Sequence, residues 1–206
     1  MKITIDTSSG NFFVSDKTVK RLILSVECSI KQKKLKSIHT KEIEKKLNDY
    51  PFIQKSEVFL NIDGTLHATV RQQEPILRIK ENKKNYYLTK EGQPMPLNPD
   101  YSAKVILTEG PISKKDRKDL LNLVHYIDND KLLKNQIIGI QKIAPDSFNL
   151  IPQIDRHTIE FGPLTNFDEK FNKLKAFYKQ YLNKIQIEQY KIINLQYKNQ
   201  VVATKR

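Results

Sequence analysis

The pair Asp63-Gly64 is the feature that most strongly narrows the folds open to this chain. It separates two segments, 57–62 and 65–70, that alternate apolar and polar residues as half-buried strands do. An Asp-Gly pair between two such segments is a strong hairpin signal, because a type I′ turn needs a positive φ at both positions. The sequence therefore predicts two adjacent antiparallel strands.

One strand and two helices are predicted ahead of this hairpin. Residues 1–7 alternate in the same way and favour a strand. Pro51 ends the second of the two helical segments, because proline disfavours a helical residue before it. Residues 1–72 are therefore predicted to form a β-α-α-β-β domain. The helices are recognised by apolar residues at spacings of three and four, namely Val19, Leu22, Ile23 and Val26, then Ile43, Leu47 and Tyr50.

Residues 73–206 predict a second, larger domain that is rich in strands. Short apolar segments alternate with turn signals, and helices are predicted near 114–127 and 129–134. An amphipathic helix over 166–183 carries a stripe that we expect to pack on the sheet, formed by Phe167, Phe171, Leu174, Tyr178 and Tyr181. The predicted class is α+β, with a mixed, mainly antiparallel β domain and flanking helices.

The chain is predicted to end in a second hairpin. Its strands are Tyr190–Tyr197 and Gln200–Thr204, joined tightly through Lys198-Asn199. Either Val201 or Val202 is expected to face the core, because neighbouring residues of a strand point to opposite faces.

The charge is strongly positive, with 36 Lys and Arg against 23 Asp and Glu, a formal net charge of +13. Such a surface suits nucleic acid, anionic lipid headgroups or an acidic protein. The basic residues are mostly scattered lysines, and the densest run, 31–36, is typical of a solvated loop. A solvated loop is therefore favoured over an electrostatic partner site in this run, although that alternative stays open. We expect no nucleic-acid partner.

The sequence contains no residue pattern that is typical of catalysis or metal binding. The four histidines lie far apart, and a single cysteine, Cys28, excludes a disulfide within the chain. The segment 61–65 resembles the Asp-x-Asp-Gly-Thr motif of haloacid-dehalogenase-type phosphatases. However, Asn61 stands where that chemistry needs a nucleophilic carboxylate. The prediction is a protein that is not an enzyme and uses no cofactor and no metal.

The order of motifs along the chain resembles one known family. The N-terminal unit, with Pro51-Phe52-Ile53 and the following Gln73-Glu74-Pro75-Ile76, is similar to a POTRA domain. The continuation is similar to the extracytoplasmic part of the bacterial division proteins FtsQ and DivIB, most of all the Bacteroidetes-type forms. It carries, in order, Arg78-Ile79, Tyr86-Tyr87-Leu88-Thr89, Glu91-Gly92-Gln93-Pro94-Met95-Pro96-Leu97, Tyr101-Ser102-Ala103, His157-Thr158-Ile159-Glu160-Phe161-Gly162, Lys170-Phe171 with Leu174, and Ile193-Asn194-Leu195-Gln196-Tyr197.

This resemblance implies a divisome scaffold that is not an enzyme. Members are single-pass proteins of the inner membrane whose POTRA and β domains face the periplasm and which concentrate at the division septum. They bind FtsB and FtsL and, through them, help control septal peptidoglycan synthases. The resemblance also implies a membrane helix ahead of Met1, so the chain is expected to be the part that follows it.

The resemblance further implies a partner site on the final strand. In the family this strand receives FtsB by strand addition, in which unpaired backbone groups at a sheet edge template a partner strand. The match carries this site onto Tyr197, Asn199, Gln200, Val201, Val202, Ala203 and Thr204. We expect Val201→Pro or Val202→Pro, whichever directs its N–H at the partner, to abolish binding of FtsB and FtsL.

The chain departs from the family's pattern around this site. Asn194 and Gln196 stand where an aspartate and a basic residue are common, and Lys205 stands where some members have a tryptophan. The family's side-chain contacts are therefore not transferred, whereas backbone pairing tolerates these changes.

Two alternative functions are weighed against the divisome scaffold. One is another POTRA protein that binds client β-strands during export or outer-membrane assembly, although such proteins usually carry several POTRA repeats. The other is a basic nucleic-acid-binding protein, whose affinity would fall steeply with salt concentration.

Overall fold

A computed structural model describes residues 1–26, 38–81, 84–154, 157–181 and 187–206. Cys28 and the basic run 31–36 lie outside the described residues. The elements, in chain order, are β1 (Lys2–Asp6), α1 (Asp16–Val26), α2 (Thr40–Asn48), β2 (Ile53–Leu60), β3 (Leu66–Gln72), β4 (Pro75–Glu81), β5 (Lys84–Thr89), β6 (Pro94–Pro96), β7 (Ile106–Glu109), α3 (Lys114–Asp128), α4 (Lys131–Gln136), β8 (Ile137–Ala144), β9 (Ser147–Pro152), β10 (Thr158–Gly162), α5 (Phe167–Tyr181), β11 (Tyr190–Asn194) and β12 (Val202–Lys205). The predicted α+β class is confirmed.

The chain forms two compact units. The first contains Met1–Pro75 and Met95–Ala103, and the second contains Ile76–Pro94 and Lys104–Arg206. The predicted domain limits, 1–72 and 73–206, divide the chain at a single point. They therefore do not assign residues 95–103 to the first unit.

The returning segment is attached to the first unit by specific contacts. The Asn98 side-chain amide donates to the backbone oxygen of Phe13 at 3.1 Å. The Tyr101 hydroxyl donates to the backbone oxygen of Gly10 at 3.1 Å, and its ring packs edge-on against Phe13, with 4.7 Å between centroids. These partners are distant in sequence, so local patterning carries no sign of them.

The first unit has a three-stranded sheet in the order β1-β3-β2. β1 runs parallel to β3, and β2 runs antiparallel to β3. Apolar residues of α1 and α2 are buried with alternate residues of β2 and β3: Val19, Ile23, Ile43, Leu47, Val58, Leu66, Ala68 and Val70. The predicted β-α-α-β-β order is the order observed in this unit.

The turn between β2 and β3 differs from the predicted type I′ turn. Gly64 has a φ of 81°, whereas Asp63 is not among the other residues with positive φ. The Gly64 N–H donates to the Asn61 oxygen at 3.0 Å, and the Asn61 N–H donates to the Thr65 oxygen at 3.0 Å. This is a three-residue connection that ends in a left-handed glycine, another common hairpin class. Asp63 accepts the Thr65 N–H through its side chain at 2.8 Å, which favours this wider turn.

The second unit has a nine-stranded mixed sheet in the order β12-β11-β10-β9-β8-β7-β4-β5-β6. Parallel pairs join β4 to β7, β7 to β8, and β10 to β11. Antiparallel pairs join β8 to β9, β9 to β10, and β11 to β12. The apolar sides of α3 and α5 are buried with residues of this sheet in one core.

The predicted packing of the α5 stripe on the sheet is confirmed for the stripe residues whose side chains are described. Phe171, Leu174 and Tyr178 have no exposed area, and Phe167 is partly buried against the same core.

Candidate partner-binding edge

β12 is the last strand of the nine-stranded sheet and pairs on one side with β11. The register places Val202 opposite Asn194, Ala203 opposite Ile193, and Thr204 opposite Ile192. In the part of the chain that the structure describes, no strand pairs with the outer side of β12.

The direction of the backbone groups of β12 follows from the residue just after the strand. The Arg206 N–H donates at 2.8 Å to the oxygen of Gln189, which immediately precedes β11, so it faces the β11 side. The register shift in this pair lies between Tyr190 and Ile192 of β11, so the residues of β12 still alternate. Alternate residues of an antiparallel strand direct their N–H and C=O groups to opposite neighbours. Val202 and Thr204 therefore also face β11. The N–H and C=O groups of Ala203 and Lys205, which alternate with these residues, are directed at the open edge.

The predicted site residues divide between this strand and the connection before it. Val202, Ala203 and Thr204 lie in β12, whereas Tyr197, Asn199, Gln200 and Val201 precede it. The predicted strand Gln200–Thr204 was therefore wrong in its limits, and the observed strand is Val202–Lys205.

The two neighbouring valines differ in burial. Val201 packs against the core, and the Val202 residue is 42% exposed, so the expectation that one of them faces the core is confirmed. Because Val202 faces β11 through its backbone, a proline there would break the protein's own sheet. Val201 precedes β12 and packs against the core, so within the strand itself the proline test of the open edge belongs at Ala203.

The preceding strand also ends earlier than predicted. β11 stops at Asn194 rather than at Tyr197, and residues 195–201 form a wide connection instead of a tight hairpin. The carbonyl oxygens of Leu195 and Tyr197 accept hydrogen bonds from the Lys173 ammonium of α5, at 3.0 Å and 2.6 Å. These contacts hold the connection to the helix. The Gln196 N–H, which a longer ladder to β12 would need, donates to the Asn194 side-chain oxygen at 2.9 Å instead.

Glu169 is a second residue of α5 at this connection. Its carboxylate accepts from the Lys173 ammonium at 3.1 Å and from the Asn199 N–H at 3.4 Å. The hydrogen bond from Lys173, followed by that from Asn199, holds the pKa of Glu169 below its ordinary value. Neither α5 residue was predicted to belong to the site, although a Glu and a Lys four positions apart on a predicted helix are a recognisable pair.

The surroundings of the edge are basic. Lys198, Lys205 and Arg206 lie in the connection, at the end of β12 and just after it, and all three are exposed. Backbone donors and acceptors beside cationic side chains can pair with an extended peptide.

Two other sheet edges, those of β6 and β2, carry features that oppose strand pairing. At the opposite end of the same sheet, β6 contains Pro94 and Pro96, which have no N–H to donate. On β2, the N–H groups of Ser56 and Val58 donate to side chains of α2. These are two of the ways in which proteins prevent strand pairing at an edge.

Within the described ranges, no group of three or more His, Cys, Asp and Glu residues could hold a metal ion. Each helix that the structure describes is too short or too polar to cross a membrane.

Comparison with protein families decides the affiliation. Residues 74–204, more than half of the chain, match the family model described as FtsQ/DivIB, C-terminal related. The chain belongs to the FtsQ/DivIB-related family. Residues 1–71 match a POTRA-like domain, as the resemblance implied. A search of curated proteins found no match.

Membership of the FtsQ/DivIB-related family identifies the general role. The POTRA-like and FtsQ/DivIB-related domains together are those of a divisome-type scaffold of cell division. The two families are generally scaffolds rather than enzymes, and FtsQ/DivIB proteins are membrane-anchored division proteins of the periplasm.

Proposed function

We propose that this protein binds FtsB and FtsL by accepting a partner strand at the open edge of β12, and that it thereby helps control septal peptidoglycan synthesis. The proposal includes anchoring by a single membrane helix, a periplasmic position for both units and concentration at the septum. The proposed site consists of Tyr197, Asn199, Gln200, Val201, Val202, Ala203 and Thr204, with the outward-facing backbone of Lys205 added.

The observation that carries the proposal is the backbone direction in β12. Ala203 and Lys205 present outward N–H and C=O groups to which no described strand is paired. A partner strand would satisfy these groups and extend the sheet, with main-chain hydrogen bonds supplying much of the affinity. The exposed residues Tyr197 and Val202 add apolar area beside the edge.

The decisive experiment removes a single outward N–H. Ala203→Pro deletes this donor but leaves the ladder to β11 intact, and an edge strand tolerates proline when its nitrogen faces outward. Ala203→Ser keeps the donor and is the matched control. The affinity of both variants for purified FtsB–FtsL complex from the same organism is measured by isothermal titration calorimetry. We expect loss of binding in Ala203→Pro and wild-type binding in Ala203→Ser.

A second variant covers the case in which Ala203→Pro does not fold. Lys205→Pro removes the other outward N–H, close to the C-terminus, and is also expected to abolish binding. Wild-type affinity in a proline variant that has a native circular dichroism spectrum would contradict strand addition at this edge.

The alternatives make different predictions in the same samples. A nucleic-acid-binding protein would bind oligonucleotides with an affinity that falls steeply with salt concentration. A POTRA protein that binds client strands would use a sheet edge of the first unit, either β1 or β2, and on β2 the N–H groups of Ser56 and Val58 are already occupied. Its binding would be unaffected by Ala203→Pro.

A further inference from the structure

The connection between β11 and β12 is held by the ammonium group of Lys173. This group donates to the backbone oxygens of Leu195 and Tyr197, and to the carboxylate of Glu169 one helical turn earlier. An ammonium has three N–H donors and no acceptor, so the three partners match its full capacity. The Lys173 side chain is only 13% exposed, so water competes weakly for these bonds.

Glu169 joins the same contact to the turn. Its carboxylate oxygen accepts both the Lys173 ammonium and the Asn199 N–H, and Asn199 has the left-handed φ of 58°. The lysine therefore holds two carbonyls of the connection while the glutamate holds its turn. Lys173 and Glu169 are called the α5 clamp below.

We infer that the α5 clamp positions the open edge of β12. β12 is only four residues long, and its first residue, Val202, comes three positions after the turn residue Asn199. The path of the connection therefore determines which residues of β12 face Asn194 and Ile193 on β11.

A slip of one residue would change the site completely. Alternate residues face opposite sides and opposite neighbours, so a slip would direct the N–H of Ala203 inward and expose the side chain of Val201. The Leu195 N–H still pairs with Glu160 of β10, but by holding the carbonyl oxygens of Leu195 and Tyr197 the clamp opposes the tighter hairpin that the sequence alone favours. The part of this inference that concerns partner binding rests on the proposed function, whereas the position of the edge is a property of the free protein.

The experiment compares two lysines of α5. Lys173→Met removes the clamp. Lys175→Met is the matched control, because Lys175 lies on the same helix and pairs with the Asp130 carboxylate at the start of α4. Hydrogen exchange of individual amides is measured by NMR in the free proteins, and affinity for FtsB–FtsL is measured by calorimetry.

We expect Lys173→Met to raise the exchange rates of the Val202 and Thr204 amides by about tenfold or more, since charge-assisted bonds to the connection are lost. Exchange of the Leu150 amide in β9 should not change. Affinity for FtsB–FtsL should fall by a similar factor. Lys175→Met should leave the exchange of β12 and the affinity unchanged, and Lys173→Arg should restore part of both.

The possible outcomes separate the positioning role of the α5 clamp from the proposed binding of FtsB and FtsL. Equal exchange in Lys173→Met and Lys175→Met overturns the positioning role, as does a loss of affinity without a change in exchange. Faster exchange of β12 in Lys173→Met, with no binding of FtsB–FtsL by the wild type, supports the clamp and contradicts the proposed function.

A milder variant is available if Lys173→Met does not fold. Glu169→Gln keeps the size of the side chain and weakens its bonds to Lys173 and Asn199. The Glu169 carboxylate faces Lys173 on its own helix and Lys198 in the connection, and its pKa is lowered. Protection of the Val202 and Thr204 amides should therefore be full above the ordinary glutamate pKa and fall as the pH drops through the lowered value. This pH dependence should be absent in Glu169→Gln, and its presence there would contradict the clamp.

Discussion

The side-chain oxygen of Asn48 accepts the backbone N–H of Ser56 at 2.7 Å, across the outer edge of β2. Two residues further along the strand, the Glu44 carboxylate accepts the N–H of Val58 at 3.1 Å. Both N–H groups face away from β3, because the alternating N–H of Asn61 pairs with Thr65 in the hairpin. Side chains of α2 therefore occupy donors that a further strand would need.

Asn48→Ala should destabilise the protein, since it leaves the N–H of Ser56 at a half-buried edge without its acceptor. We expect the free energy of unfolding to fall by about 1–2 kcal/mol, measured by urea denaturation. Asn48→Asp keeps an acceptor oxygen, so its free energy of unfolding should fall much less. Lys45→Ala, an exposed change on the same helix, should stay within about 0.5 kcal/mol of the wild type. A loss in Lys45→Ala equal to that in Asn48→Ala would contradict the role of the amide.

The buried pair of Asp116 and Lys142 should be one of the most sensitive points of the second unit. Their side chains are 8% and 11% exposed and lie 2.6 Å apart. Lys142→Met leaves the Asp116 carboxylate buried without its cation, so we expect a loss of about 3 kcal/mol or more in urea unfolding at neutral pH. Lys115→Met, which breaks the exposed pair with Asp146, should cost less than about 1 kcal/mol.

Acid should reduce the contribution of the Asp116–Lys142 pair to the stability of the fold. Burial raises the pKa of Asp116, but hydrogen bonds from Lys142 and Ser113 outweigh that effect and leave the pKa below its ordinary value. A carboxylate of this kind stabilises the fold above its unfolded pKa, and the contribution is lost as the pH falls through its folded pKa. The difference in the free energy of unfolding between the wild type and Asp116→Asn should therefore shrink as the pH is lowered. A constant difference down to pH about 2 would contradict this assignment.

Tyr126 should ionise only in strong alkali. Burial, followed by the hydrogen bond from its hydroxyl to Asp168, raises its pKa to about 12. The unfolded chain ionises first, so the fold loses stability as the pH rises from the ordinary tyrosine value toward this raised value. Phenolate absorbance, taken as the difference between wild type and Tyr126→Phe, should show the late titration. Asp168→Asn should move the titration midpoint of Tyr126 to lower pH. An unchanged midpoint would contradict the role of the Asp168 carboxylate.

Gly110→Ala should cost much more stability than Gly10→Ala. Both glycines have positive φ, 120° and 72°, so both substitutions strain the backbone. A Cβ at Gly110 would lie 2.9 Å from the backbone oxygen of Lys142, whereas one at Gly10 would meet nothing within 4 Å. We expect a difference of at least about 1 kcal/mol in the free energy of unfolding. Equal losses of stability in the two variants would show that the backbone around Gly110 and Lys142 can shift to accept a Cβ at no extra cost in free energy.

Local patterns of sequence predicted most elements of the fold because each pattern has its own physical cause. The apolar spacing of α5 placed Phe171, Leu174 and Tyr178 in the core, where all three are fully buried. The hairpin at Asp63-Gly64 was predicted for a related reason, since only a few turns join alternating strands so closely. The class of turn was wrong, because the Asp63 side chain bonds the Thr65 N–H and selects a wider connection.

The candidate site was predicted less completely than the fold. Alternation and the family resemblance pointed to the final strand, and Val202, Ala203 and Thr204 do lie in β12. Alternation extended the predicted β11 to Tyr197. The Asn194 side chain, which accepts the Gln196 N–H at 2.9 Å, is a local feature that ends the strand earlier, whereas the bonds from Lys173 to two following carbonyls have no local signal.

The order of most elements and the apolar side of each helix could be predicted from the sequence, because they depend on neighbours within a few residues. The outward direction of the β12 backbone groups and the return of residues 95–103 to the first unit became visible only in the folded chain. Those features depend on hydrogen bonds between segments far apart in the chain, such as Lys173 to Tyr197 and Asn98 to Phe13. Such partners become neighbours only after the chain has folded.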